Sequence, residues 1–138
     1  MTPQPQKVVI DTNVIISSLW GGNPKKVLAL WQQGYFKVLV SLPILQEYQK
    51  VLNRFKLSED DLEAFLSLFT APQFSILVRP RYQHHVIKED PSDNIFLDCA
   101  LEGKANCIVS GDIHLLKLKI FENIPILTPT QFIHESKS

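Results

Sequence analysis

Four acidic residues stand out in the sequence because of where they fall relative to the predicted strands and helices: Asp11, Glu47, Asp93 and Asp112. Asp11 and Asp112 come at the ends of two short apolar runs of the kind that form buried parallel strands. Carboxyl ends of parallel strands meet at one edge of a sheet. We therefore expect these two side chains to emerge close together.

The other two acids belong to predicted helices. Glu47 lies three residues after Ile44 and four before Val51, at the edge of a core-facing stripe. Asp93 follows Pro91 in the first turn of another predicted helix, for which Asp90 suits the N-cap position. A second acid at that helix start is therefore available for another role.

Each acid also has a purely structural interpretation. Asp11 and Asp112 would be ordinary helix caps or turn residues. Glu47 would be a solvated position on an amphipathic helix, and Asp93 would interact with the helix dipole. These interpretations stay open residue by residue.

Taken together, four carboxylates at the ends of separate elements suit a hard cation that prefers oxygen ligands, such as Mg²⁺ or Mn²⁺. The sequence has no glycine-rich phosphate loop, no Gly-x-Ser-x-Gly turn and no Cys-x-x-Cys pair. The acids therefore predict a divalent metal site as the chemistry of this chain.

Strands and helices alternate along the sequence. Strands are predicted at 7–10, 36–40, 75–78, 106–109 and 124–127. Thr12 or Asn13 is predicted to cap the first helix, and a helix after Ser58 is predicted to bury Leu62, Phe65, Leu66 and Phe69. The alternation predicts a mainly parallel sheet covered by helices on both faces.

The composition predicts one domain over residues 1–138, since the length suits a single core and the hydrophobic fraction is 45%. The 14 basic and 14 acidic residues balance, so the total charge indicates no particular partner. No apolar run is long enough to cross a bilayer and no secretory signal is evident, so we expect a cytoplasmic protein without membrane contact. Cys99 and Cys107 are expected to be buried and reduced.

Five segments in order resemble the successive motifs of PIN-domain nucleases. They are VVIDTNVIIS (8–17), SLPILQEYQKVL (41–52), DPSDNIFLDCAL (90–101), IVSGDIHLL (108–116) and ILTPTQF (126–132). The resemblance spans nearly the whole chain and is greatest to compact bacterial PIN proteins described as toxins of toxin–antitoxin pairs. Two departures are mild: Tyr48 follows Glu47 where a small aliphatic residue is usual, and Asn94 follows Asp93 where some relatives have another acid.

The resemblance implies a Rossmann-like, PIN-like three-layer α/β/α sandwich and a Mg²⁺- or Mn²⁺-dependent endoribonuclease. Asp11, Glu47 and Asp93 match the three central acidic positions of the family and Asp112 the fourth. Thr12, Asn13 and Ser110 match the supporting polar positions beside them. The partners it implies are an RNA substrate, a cognate antitoxin and a second copy of the chain.

Six basic residues are candidates for holding substrate: Lys25, Lys26, Arg54, Arg79, Arg81 and Lys88. Solvated surface charge is the alternative for each of them. His84 and His85 lack a third ligand at metal spacing and are expected to be surface histidines.

Two rival functions remain: a nucleic-acid-binding or regulatory module without turnover, and a metal-dependent phosphatase. The intact acids argue against the module. Haloacid-dehalogenase-like phosphatases need a second Asp two residues after the nucleophile, and here that position is Asn13.

Overall fold

A computed structural model of the chain describes residues 6–87 and 93–136. The strands are β1 (Gln6–Ile10), β2 (Phe36–Val40), β3 (Ser75–Leu77), β4 (Cys107–Val109), β5 (Ile120–Phe121) and β6 (Ile124–Leu127). The helices are α1 (Thr12–Ser17), α2 (Gly22–Gln32), α3 (Leu42–Leu52), α4 (Glu59–Thr70), α5 (Asn94–Gly103), α6 (Ile113–Leu116) and α7 (Pro129–Ser136). The sequence thus folds into the predicted alternation of strands and helices.

The six strands form one sheet in the order β3-β2-β1-β4-β6-β5. All neighbouring pairs are parallel except β5 with β6, which is antiparallel. The short strand β5 was not predicted, because two residues give no readable alternation. The central strand β1 is apolar and fully buried from Val8 to Ile10, as expected for a strand covered on both faces.

Helices cover both faces of the sheet, which confirms the three-layer α/β/α fold. Successive side chains of β2 point to opposite faces of the sheet, so their contacts show what covers each face. Phe36 makes an edge-to-face contact with Phe132 of α7, with ring centroids 5.1 Å apart. Leu39, which points the other way, lies against Gly103 at the end of α5. No helix in the described ranges is long and apolar enough to cross a membrane.

Serine side chains start two of the helices as the sequence indicates. Ser41 accepts a hydrogen bond from the amide of Ile44 at the start of α3, and Ser58 accepts one from Asp61 at the start of α4. The prediction for the first helix was wrong, since Asp11 caps α1 and neither Thr12 nor Asn13 does.

The buried face of α4 also differs from the prediction. Phe65 and Leu68 are buried, whereas Leu62 and Leu66 face outward and Leu66 keeps 61% of its surface exposed. Because α4 has apolar residues on two sides, helical spacing alone could not decide which side faces the core.

Cys99 and Cys107 are free and buried, as predicted. Loss of hydration on burial raises the pKa of each thiol to about 12.

We predict that a colorimetric thiol reagent at pH 8 reacts with neither cysteine in the folded protein and with both after unfolding in guanidinium, because the thiolate is the reactive form. Their burial should stabilise the fold fully below pH 9 and progressively less as the pH rises toward 12. Rapid reaction of the native protein would contradict this assignment.

Candidate active site

The candidate active site lies where the chain order of the sheet reverses. Strands β1 and β4 are parallel neighbours, with Ile10 opposite Val109, and from this pair the sheet continues in two opposite directions. Such a switch point at the carboxyl ends of the strands is where open α/β sheets form their binding crevice. Asp11 and Ser110 are the next residues after these two strand ends.

One serine hydroxyl joins two of the acids. Ser110 Oγ donates a hydrogen bond of 2.6 Å to Asp11 Oδ2 and accepts one of 2.9 Å from the backbone amide of Asp112. Ser110 is completely buried and Asp11 is 2% exposed. Residues about one hundred positions apart in the chain are thereby held in one hydrogen-bonded unit.

Both of these acids also cap helices. Asp11 Oδ1 accepts a hydrogen bond from the amide of Asn13, at 3.1 Å, and begins α1. Asp112 Oδ1 accepts one from His114, at 2.7 Å, and begins α6. The capping interpretation is therefore correct for both. Capping uses only part of the acceptor capacity of each carboxylate, because a carboxylate has about four acceptor sites.

Asp93 occupies the N-cap position of α5 and is buried. Its side chain makes no capping hydrogen bond. The prediction that Asp90 caps this helix with Asp93 in its first turn was therefore wrong, since α5 begins only at Asn94. Asp90 itself lies outside the described residues. Glu47 is half-buried on α3, and α3 packs against both α1 and α5, the helices that begin at Asp11 and Asp93.

The four acids are thus placed on neighbouring elements but not gathered equally. Asp11 and Asp112 are connected through Ser110, whereas Glu47 lies on α3 and Asp93 at the start of α5, and these two helices pack against each other. Within residues 6–87 and 93–136, no three His, Cys, Asp or Glu side chains stand close enough to form a preformed metal cluster.

The polar residues beside the acids differ from one another in their surroundings. Ser110 has the linking role just described. Thr12 is buried, and its hydroxyl has no hydrogen-bond partner in the described part of the chain. Asn13 is exposed and contributes its backbone amide.

The donor chemistry fits a hard divalent cation. The candidate ligands are carboxylate oxygens, and the buried hydroxyl of Thr12 is a further oxygen at the same helix start. Mg²⁺ and Mn²⁺ prefer such oxygens together with water. Asp11, Glu47, Asp93 and Asp112 are therefore the residues that could hold a metal here.

Tyr48 belongs to this site, although the sequence indicated only an apolar core position and a mild departure from the family pattern after Glu47. Its hydroxyl donates a short hydrogen bond to the backbone carbonyl of Ile10, the residue before Asp11. Burial raises the pKa of Tyr48 well above its ordinary value, and electrostatic interaction with the neighbouring acidic groups of Cys99 and Asp11 raises this pKa further. The bond fixes α3, next to Glu47, against the end of β1.

The basic candidates are spread over the surface. Lys25, Lys26, Arg54 and Arg79 are exposed, and Lys88 lies outside the described residues. Arg81 forms an ion pair with Glu102, at 2.9 Å. His85 is exposed as predicted, but His84 is partly buried, because its Nδ1 lies 2.6 Å from Asp98 Oδ1. His84 is therefore a surface histidine only in part, with 28% of its side chain exposed.

Comparison with known proteins identifies the fold and the family. A family model described as a PIN domain matches residues 7–114. An uncharacterized protein of Methanocaldococcus jannaschii is 32% identical over 145 residues, covering 94% of this chain and 90% of that protein. The crystal structure of VapBC2 from Rickettsia felis bound to a DNA fragment from their promoter matches with a TM-score of 0.60, at 15% identity, over 88% of this chain and 98% of that one.

The chain belongs to the PIN-domain family. PIN domains are in general nucleases, so membership supports hydrolysis of nucleic acid. The four acids and Tyr48 all fall within the matched residues.

We predict that Tyr48→Phe destabilises the site locally. The free energy of unfolding should fall by about 1–3 kcal/mol because the Ile10 carbonyl is left buried without this donor. A matched control is Ser75→Ala, which removes another buried hydroxyl that donates to a backbone carbonyl, that of Leu68, at 2.6 Å. Hydrogen exchange of the amides from Asp11 to Asn13 should accelerate in Tyr48→Phe and not in Ser75→Ala. Equal exchange in the two variants would show that Tyr48 has no special role at the site.

Proposed function

We propose that this chain is a Mg²⁺- or Mn²⁺-dependent endoribonuclease. The observation that carries the proposal is the unit of Asp11, Ser110 and Asp112 at the switch point of a PIN fold. One buried hydroxyl binds the Asp11 carboxylate and the backbone amide of Asp112, and so holds two acids at this edge. This suits cation binding better than structural capping alone, because capping requires no link between the two helix starts.

The residues would divide the work by position. Asp11 is proposed as the central ligand. It is 2% exposed, and hydrogen bonds from the Ser110 hydroxyl and the Asn13 amide orient its carboxylate. Asp93 and Asp112 would complete the coordination directly or through water. Glu47 would orient a second cation or the attacking water from α3. The bound cation would supply positive charge for the phosphate oxygens and acidify a water molecule.

The remaining parts of the proposal concern location and partners. We infer a cytoplasmic enzyme that acts on RNA and is inhibited by a cognate antitoxin, with a homodimer as a further assembly. Support comes from the resemblance to compact bacterial PIN toxins and from the likeness to VapBC2, which was crystallised with DNA from its promoter.

A binding module without turnover and a phosphatase remain the alternatives. The phosphatase finds no support at Asn13, which is exposed and offers no second carboxylate. A nuclease assay distinguishes the module from the enzyme.

We predict that the protein cleaves single-stranded RNA when Mg²⁺ or Mn²⁺ is present and stops when EDTA is added in excess. Gel electrophoresis of an end-labelled RNA would measure this, with restoration by added Mn²⁺ as the control. Cleavage that continues unchanged in EDTA would refute the metal mechanism, and a bound but uncleaved RNA would favour the module.

A second prediction concerns Asp11→Asn. Asparagine caps helices nearly as well as aspartate, so the melting temperature without metal should stay close to that of the wild type. The rise in melting temperature on adding Mn²⁺ should shrink, because a ligand that binds only the folded state stabilises it according to its affinity. RNA cleavage should be lost.

The control for this prediction is Asp60→Asn, which neutralises an exposed acid in the first turn of α4, away from the site. It should keep the metal response and the cleavage of the wild type. If Asp11→Asn also keeps both, Asp11 is not a metal ligand and the site assignment is wrong.

A further inference from the structure

A second cleft lies on the outer side of α5. It has a volume of about 200 Å³ and is lined by side chains of α5, by Lys104 and by the irregular segment 79–87. The lining includes Pro80, Tyr82, His84 and Leu101. This volume is below the several hundred Å³ typical of pockets for drug-sized ligands, so it suits one planar ring system better than a whole nucleotide or a folded peptide.

Segment 79–87 contains no helix or strand, but α5 holds it along its length. The side chains that hold it are Asn94, Asp98 and Glu102, which are spaced four residues apart and therefore share one face of the helix. Glu102 binds the amide and guanidinium of Arg81 at 2.9–3.2 Å. Asp98 accepts from the amide of His84 at 2.7 Å, in addition to its contact with the ring.

The end of the segment nearest Asp93 is fixed in the same way. Asn94 Oδ1 accepts hydrogen bonds of 3.0 Å from the amides of Val86 and Ile87, and its Nδ2 donates to the Ile87 carbonyl at 2.9 Å. The His84 ring also contacts Phe121 edge-on, with centroids 5.6 Å apart. One wall of the cleft is thus preorganised before anything binds, which reduces the entropic cost of binding.

On this fixed frame the exposed groups are aromatic and cationic. Tyr82 keeps 71% of its surface exposed, and exposed Lys104 lines the same cleft. Arg79, which is also exposed, precedes Tyr82 by three residues in the chain. Residues 79–87 include no acid, and Glu102 is already paired with Arg81. A flat aromatic ring next to free positive charge is the arrangement by which proteins hold single-stranded nucleic acid: the base stacks and the phosphates meet the cations.

The cleft is also at a suitable distance from the acids. The residues from Asp93 to Glu102 span about 13 Å along the axis of α5. A substrate strand with one phosphate at the acidic site could therefore place a base only a few nucleotides away beside Tyr82.

We propose that this cleft binds one unpaired nucleobase of the RNA substrate, stacked on Tyr82, with Arg79 and Lys104 against the flanking phosphates. The proposal rests on the proposed function, since it assigns a second contact to the same substrate. Arg81, His84 and their partners on α5 hold the shape of the cleft.

The test is binding of a short, fluorescently labelled single-stranded RNA in EDTA, measured by fluorescence anisotropy, so that cleavage does not interfere. Tyr82→Ala should weaken binding about fivefold or more, the effect of losing one stacked base, and Tyr82→Phe should stay within about twofold of the wild type. The matched control is Tyr35→Ala. Tyr35 is 67% exposed but precedes β2, at the sheet edge opposite Asp11.

An abasic scan then identifies the contact itself. In the wild type, removing the base at one position should weaken binding, and in Tyr82→Ala removing that same base should cost nothing further. Equal effects of each abasic position in the two proteins, or unchanged binding by Tyr82→Ala, would overturn the proposal. Because the assay needs no turnover, absence of RNA cleavage with an intact abasic effect would count against the proposed enzyme and not against the cleft.

Discussion

The parallel pairing of β1 with β4 is the constraint on which the site depends. It places the ends of two chain-distant strands side by side, so that a single buried hydroxyl, Ser110, can reach the carboxylate of Asp11 and the amide of Asp112. A slip of two residues in this register would separate the three groups. The register of β1 with β4, more than any local motif, therefore determines which groups meet at the acidic site.

The helix starts explain why the fold accommodates several negatively charged side chains on neighbouring elements. Asp11, Asp93 and Asp112 occupy the N-cap positions of α1, α5 and α6. Exposed amides and the positive end of a helix dipole favour negative charge at such positions. Capping and cation binding are thus complementary for Asp11 and Asp112, because the amides of Asn13 and His114 also fix the orientation of these two carboxylates.

The sequence was sufficient for the sheet, the family and the positions of Asp11 and Asp112 after β1 and β4, since apolar runs followed by Asp and the order of the motifs are local features. It placed Asp93 in the first turn of α5, whereas Asp93 is the N-cap of that helix. It was insufficient where the outcome depended on tertiary contacts. Leu62 and Leu66 carry a valid helical period but face outward, because Phe65 and Leu68 occupy the core side of α4. The contact of His84 with Asp98 could not be predicted, because the two residues lie on different elements and only the folded chain brings them together.

The way α5 holds segment 79–87 has a consequence for how such a protein can diversify. The amides of Arg81, His84, Val86 and Ile87 all donate to side chains of α5, so much of the restraint acts on the backbone of the segment. Outward side chains such as Tyr82 can then be exchanged by mutation while the path of the chain is kept. Related proteins could in this way acquire new sequence preferences on an unchanged catalytic framework.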